Sequence, residues 1–141
     1  MKQRVVIADD DPMAVSLIES CLSRAGYEIH TTTNGIAALT MIERVDPAVA
    51  ILDINMPGLD GLAVLRQLKE DARLRHIPVM MLTGEGDPAR VSDALDGGAG
   101  DYVLKPFKNE ELIVRVGRLA ASVERIYEPL PPQSSDDFWI I

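Results

Sequence analysis

Five short apolar runs punctuate the chain, and between them apolar residues recur at intervals of three or four. Arg4 to Ala8 is β-branched and continuous, the pattern of a strand buried on both faces. It stops at Asp9-Asp10-Asp11-Pro12, where Asp11 offers a capping acceptor and Pro12 suits the first position of a helix. Val15, Ile18, Leu22 and Ala25 then follow at helical spacing as far as Gly26. A second strand is predicted from Tyr27 to Thr31. Asn34-Gly35 opens a short helix to about Arg44, with Ile36, Leu39 and Ile42 apolar. After Pro47, Ala48 to Leu52 is an unbroken apolar strand that runs into Asp53. Met56-Pro57-Gly58-Leu59-Asp60-Gly61 has the chemistry of a loop, and Leu62, Leu65 and Leu68 then mark one face of a helix. Pro78 starts the strand Val79 to Leu82, which ends at Thr83. Gly84 to Pro88 is a loop and helix start, and that helix fades at Gly97-Gly98. Tyr102 to Leu104 is a fifth strand ending at Lys105-Pro106. Asn109 is expected to cap a long helix carrying Leu112, Val116, Leu119, Val123 and Ile126, with Glu110 and Glu111 in its first turn.

Continuous apolar strands separated by amphipathic helices predict an α/β domain with a parallel sheet covered by helices on both faces. Right-handed crossovers leave few topologies, and the doubly wound, flavodoxin-like strand order 2-1-3-4-5 is the natural one for five units. The character changes after about Tyr127. Residues 1–127 are expected to form the domain, and residues 128–141 a Pro/Ser-rich tail or linker ending in Phe138-Trp139-Ile140-Ile141. Such a tail seldom orders without a dock, so Phe138, Trp139, Ile140 and Ile141 are expected to rest on an apolar groove of this chain or a neighbour. The competing expectation is a lattice contact or the start of a further module.

Composition narrows the class of function. The 141 residues are 47% hydrophobic and 26% charged, an ordinary globular balance. No apolar run approaches the roughly 20 residues of a membrane helix, and the amino-terminal run is too short for a signal peptide. One cysteine excludes an intrachain disulfide, so a cytoplasmic home is expected. A formal charge of −8 speaks against direct binding of nucleic acid, which needs basic patches.

In the predicted sheet the carboxyl ends of the strands share one edge, where ligands bind. Asp9 and Asp10, Asp53, Thr83 and Lys105 stand just past the ends of strands one, three, four and five. Carboxylates brought so close raise one another's pKa unless a cation sits among them. Hard oxygen donors suit Mg²⁺, with Mn²⁺ as the alternative. A lysine and a hydroxyl nearby suggest that an anion joins the metal, and that combination describes phosphoryl transfer.

The same residues carry a resemblance. Asp9-Asp10 after a strand, Leu52 to Gly61 (LDINMPGLDG), Met81 to Glu85 (MLTGE) and Tyr102 to Phe107 (YVLKPF) resemble, in order, the motifs of response-regulator receiver domains, over about residues 4 to 127. That family resemblance implies a phosphoacceptor switch rather than a metabolic enzyme, catalysing only its own phosphorylation and dephosphorylation. Carried over, it makes Asp53 the nucleophile toward a phosphohistidine donor. Asp10 would ligate Mg²⁺ directly, Asp9 largely through water, and Asn55 through its backbone carbonyl. Lys105 would pair with a phosphate oxygen. Thr83 would hydrogen-bond another and, by moving, let Tyr102 rotate inward. Lys105-Pro106 resembles the family's cis peptide. Asn55 and Glu85 resemble the pair that speeds dephosphorylation in chemotaxis regulators, so rapid loss of the phosphoryl group is expected. The implied partners are a sensor histidine kinase or histidine phosphotransfer protein, an output protein or a missing carboxyl-terminal output domain, and a phosphorylation-dependent second copy.

Other readings compete at each position. Asp9 to Asp11 alone would pass for a solvated turn and cap, and a one-residue slip would make Asp10 and Asp11 the metal pair. Asp53, Thr83 and Lys105 are each common singly at strand ends, and Tyr102 alone reads as a packing aromatic. Cys21 reads as a small core residue, His30 and His76 as surface or edge residues, and Met80-Met81 as core filling. A haloacid-dehalogenase-like phosphatase would want a second carboxylate where Asn55 stands. A P-loop or flavodoxin-like nucleotide binder would want a Gly-rich loop after the first strand. A degenerate receiver serving only as a docking surface would not need the whole polar set.

Overall fold

The computed structural model describes residues 2–84 and 88–127. The expectations placed on Glu85 and on Phe138, Trp139, Ile140 and Ile141 lie outside the described residues. Strands β1 (Arg4–Ala8), β2 (Glu28–Thr32), β3 (Val49–Asp53), β4 (Val79–Thr83) and β5 (Asp101–Leu104) alternate with helices α1 (Pro12–Arg24), α2 (Gly35–Val45), α3 (Gly61–Glu70), α4 (Pro88–Asp96) and α5 (Asn109–Tyr127). The strands form one sheet in the order β2-β1-β3-β4-β5, every pair parallel. This is the doubly wound α/β arrangement that the apolar pattern predicts.

Side chains alternate across a strand, so each strand feeds two cores. Val6, Ala8, Ala50, Leu52, Val79 and Met81 pack with Ala38 and Ile42 of α2, Val64, Leu65 and Leu68 of α3, and Ala94 of α4. Val5, Ile7, Val49, Ile51, Met80 and Leu82 pack with Ile18, Cys21 and Leu22 of α1 and Leu112, Val116 and Ala120 of α5. Full burial on both faces makes β3 and β4 read as unbroken apolar runs, whereas edge strand β2 is only half-buried. At roughly 25 cal/mol per Å² of apolar area, the two layers supply the bulk of the driving force for folding.

The caps follow from local chemistry. Asp11 accepts from the Met13 amide ahead of Pro12, Asn34 from Ala37, and Asp60 from Ala63. Asn109 behaves differently from the expectation: it is the first residue of α5, and the Lys108 carbonyl accepts from the Leu112 amide. The cap thus falls one residue earlier, on a backbone group that sequence composition does not reveal. Cys21 is buried, with its Sγ 3.8 Å from the Asn109 carbonyl oxygen, and burial raises its pKa. His30 lies on β2 beside Glu28, and His76 faces Asp46.

Candidate functional site

The carboxyl edge of the sheet is assembled by strand register. Ala8 pairs with Leu52, so Asp9 and Asp53 face one another one step further on. Asp53 pairs with Leu82, and the Ile54 amide extends that ladder by donating to the Leu82 carbonyl at 3.0 Å. Thr83 pairs with Leu104, and the Lys105 amide donates to the Thr83 carbonyl at 2.8 Å. Residues from four strands therefore reach one rim, although Asp9 and Lys105 are far apart in sequence. The Lys105–Pro106 peptide bond is cis.

Asp9, Asp10 and Asp53 place one carboxylate oxygen each within 4.8 Å of the others. Asp10 is exposed, while Asp9 is 0% and Asp53 5% exposed. Asp9 is held by the Asp11 amide, which donates to its Oδ1 at 3.0 Å. Its buried Oδ2 lies 2.6 Å from Lys105 Nζ, an ion pair rather than an aligned hydrogen bond. The same ammonium stands 3.7 Å from Asp53 Oδ2, and the Asn55 amide donates to Asp53 Oδ1 at 3.4 Å.

Burial, and then the charge of Asp9, push Asp53 up to about 7, against the opposing pull of Lys105. Burial would lower Lys105, but the Asp9 and Asp53 carboxylates more than offset it and hold the ammonium above its ordinary range. One lysine thus leaves the negative charge at this rim only partly compensated. A hard divalent cation fits that donor set: oxygen ligands only, closely spaced, one of them open to solvent.

Thr83 is buried, and its hydroxyl donates to the Gly84 carbonyl at 3.2 Å. Tyr102 pairs with Met81, two residues before Thr83, so Tyr102 and Thr83 belong to the same face of the sheet. Tyr102 is half-buried against the core that also holds Met81. Packing and switching are both open to it.

Two residues enter the site that the sequence pattern did not single out. Gly61 begins α3, its amide donating to the Ile54 carbonyl at 2.9 Å, and a Cβ there would run into the Asp53 carbonyl oxygen. The sequence placed Gly61 in loop chemistry, and its neighbour Asp60 at the cap was the available signal. Arg90 of α4 reaches across to Asn55 Oδ1 at 3.2 Å and Asp60 Oδ2 at 3.1 Å. Nothing in the local pattern marks an arginine on an amphipathic helix as a neighbour of residues 30 and 35 positions away.

Residues 5–117 match the family described as the response regulator receiver domain. Among curated relatives, the chain is 37% identical over 123 residues to the DNA-binding dual master transcriptional regulator RpaA of Synechocystis, covering 87% of this chain and 51% of that protein. It is 39% identical over 122 residues to the response regulator PleD of Caulobacter vibrioides, covering 84% and 26%. The chain therefore spans about half or less of the length of these relatives. Among solved structures, the signal receiver domain of a histidine kinase from Syntrophus aciditrophicus superimposes with a TM-score of 0.82 at 34% identity, covering 92% of this chain and 97% of that one. The receiver domain of NtrX from Brucella abortus gives 0.79 at 32%, covering 84% and 98%.

Proposed function

The chain belongs to the response-regulator receiver domains of two-component signalling, and from that premise we propose that Asp53 accepts a phosphoryl group from a phosphohistidine donor in a Mg²⁺-dependent reaction. The observation that carries this reading is the buried Asp53 carboxylate, crowded by Asp9 and Asp10 and faced by Lys105. Asp9, Asp10 and Asp53, with the Asn55 carbonyl, would hold the metal. When bound, Mg²⁺ neutralises phosphoryl oxygens and keeps Asp53 ionised at neutral pH; Mn²⁺ is the alternative ion.

The chain's own residues do the positioning. An Asp53 oxygen attacks phosphorus in line, the P–N bond breaks, and its electron pair returns to the donor imidazole. Lys105 pairs with an oxygen of the transferred group as a compact cation. Thr83 turns its hydroxyl from the Gly84 carbonyl to another of those oxygens, exchanging a long local bond for a charge-assisted one. Tyr102, on the same face, follows inward as Thr83 shifts. The result is a two-state equilibrium biased by new charge at the rim. Asn55 and Glu85 tune how fast the acyl phosphate is lost.

The partners follow from this chemistry: a histidine kinase or phosphotransfer protein as donor, an output protein or output domain as receiver of the signal, and a phosphorylation-dependent second copy. A cytoplasmic setting suits such a donor. Among the described residues no helix is long and apolar enough to cross a membrane. The name DNA-binding belongs to relatives of which the part matched by this chain is only about half. With a charge of −8 on its 141 residues, residues 1–127 are proposed to act through protein contacts, and residues 128–141 as a tail or linker.

Labelled acetyl phosphate with Mg²⁺ tests the reading. The wild type is expected to take up label, and Asp53→Ala or removal of Mg²⁺ to abolish it. Label retained by Asp53→Ala would exclude Asp53 as the acceptor. Turnover of a phosphate ester would favour a phosphatase instead.

A further inference from the structure

Arg90 connects the first part of α4 to the phosphoacceptor loop through two separate donors. One guanidinium nitrogen donates to Asn55 Oδ1 at 3.2 Å, and the other to Asp60 Oδ2 at 3.1 Å. Asp60 is itself fixed, because its Oδ1 accepts from the Ala63 amide at 2.9 Å as the cap of α3. The Arg90 side chain is 30% exposed; its contact to Asp60 is partly shielded from water, and its contact to Asn55 lies at the surface. Asn55 lies two residues beyond Asp53 on the rim, and its side chain is exposed.

A guanidinium carries donors only, so the carboxamide atom that meets it must be oxygen. The other end of Asn55 is then an NH₂ group, again only a donor. Loss of an aspartyl phosphate needs the reverse polarity. A water oxygen bonds to phosphorus, the bond from phosphorus to the Asp53 oxygen breaks with its electron pair returning to the carboxylate, and one water proton leaves to solvent beside inorganic phosphate. An acceptor aimed at that departing proton orients the water; a donor does not. The Asn55 oxygen keeps a second lone pair, but Arg90 fixes its direction and weakens it as an acceptor.

We propose that Arg90 is a positioning residue that holds the Asn55 carboxamide oxygen toward α4 and thereby prolongs the life of the aspartyl phosphate. This rests on the phosphoacceptor reading above. It also makes α4 a control on that lifetime, since any partner that draws Arg90 away releases Asn55 to the water.

The test follows decay of label in the full chain after phosphorylation by acetyl phosphate and Mg²⁺. Arg90→Ala is expected to speed decay about threefold to tenfold, the worth of one charge-assisted hydrogen bond at a partly exposed site. Asp60→Asn, which keeps the cap of α3 but removes the second anchor, should speed it less. Arg90→Ala combined with Asn55→Ala should decay at the rate of Asn55→Ala alone. An unchanged or slower decay in Arg90→Ala overturns the proposal. So does an equal acceleration in the Asn55→Ala background, because loosening of α4 or loss of the charge alone would act without Asn55. A wild type that takes up no label at all sinks the phosphoacceptor reading instead, and is told apart by that.

Discussion

Charged triads stand at both ends of the parallel strands. At the amino ends, where α2 and α3 finish, Arg73 lies 2.9 Å from Glu43 and 3.4 Å from Asp71. At the carboxyl ends, Lys105 lies 2.6 Å from Asp9 and 3.7 Å from Asp53. The distances are alike, but the surroundings are not. The Arg73 side chain is 72% exposed, and its pairing with Asp71 moves both of those groups toward their charged forms: the Arg73 amide and guanidinium lower Asp71, and Asp71 raises Arg73. At the other rim burial works against charge, and Asp53 is pushed up to about 7. The lower triad is satisfied as it stands. The upper one is held in an unfavourable state by the rest of the fold, which leaves it ready for added cations and phosphoryl oxygens.

The sharpest way to break that difference is to disturb what holds the upper rim in place. A Cβ at Gly61 meets backbone, the Asp53 carbonyl, so no rotamer change relieves it. Gly61→Ala is expected to cost about 3 kcal/mol, at the severe end of single substitutions, and to impair labelling of Asp53. Urea unfolding measures the first effect; a loss below about 1 kcal/mol would mean that α3 can shift without moving the rim.

Next in size is Lys105. Lys105→Met keeps length and removes charge, leaving Asp9 and Asp53 buried together without a cation. A loss of about 2 kcal/mol in chelator is expected, less than for a fully buried pair because the ammonium keeps some contact with water. Added Mg²⁺ should close part of that gap if the carboxylates bind it. A gap that Mg²⁺ leaves untouched would count against the metal assignment.

Asp53→Asn should act in the opposite direction. Between the ordinary 3.8 and about 7, folded Asp53 holds a proton that the unfolded chain has released. The fold therefore loses stability from this group as pH rises through that window, and the penalty is full above it. In chelator at pH 8 to 9 Asp53→Asn should gain about 1 to 3 kcal/mol over wild type, with the gain gone near pH 4. Saturating Mg²⁺ should shrink it. A variant that is less stable than wild type at pH 8 would contradict the crowded-carboxylate picture.

The same contrast governs what the sequence makes legible. β1, β3 and β4 are buried on both faces, so Val5 to Ala8, Val49 to Leu52 and Val79 to Leu82 stand out as unbroken apolar runs. Their ends carry Asp9, Asp53 and Thr83, and parallel topology alone brings those to one rim. Edge strands β2 and β5 are less buried and begin at Glu28 and Asp101, each one residue away from where the pattern put it, and the central β3 also begins one residue late, at Val49 rather than Ala48. Less legible still are contacts made by long polar side chains. Lys69 donates to the Arg75 and Ile77 carbonyls at 2.9 Å, and Arg90 reaches Asn55 and Asp60. A helical lysine or arginine has the same local pattern whether it faces solvent or spans to a neighbour. Only the tertiary fold decides which.

The smallest expected effect belongs to the lower triad. Arg73→Ala removes a guanidinium that serves both Glu43 and Asp71, yet both carboxylates remain hydrated when it goes. Asp71 still accepts from the Arg73 amide at 2.8 Å, because that bond is made by the backbone. Exposed pairs contribute little and are screened by salt, so the unfolding midpoint should move by no more than about 2 °C, and less at high ionic strength. Labelling of Asp53 should not change. A large fall in midpoint, or one that salt leaves intact, would show that the lower triad fastens the α3–β4 connection to α2. Asp71 and Asp53 would then still shift in opposite directions, but the two ends of the sheet would not differ in structural weight, and the division between a stabilising rim and a functional one would have to be redrawn.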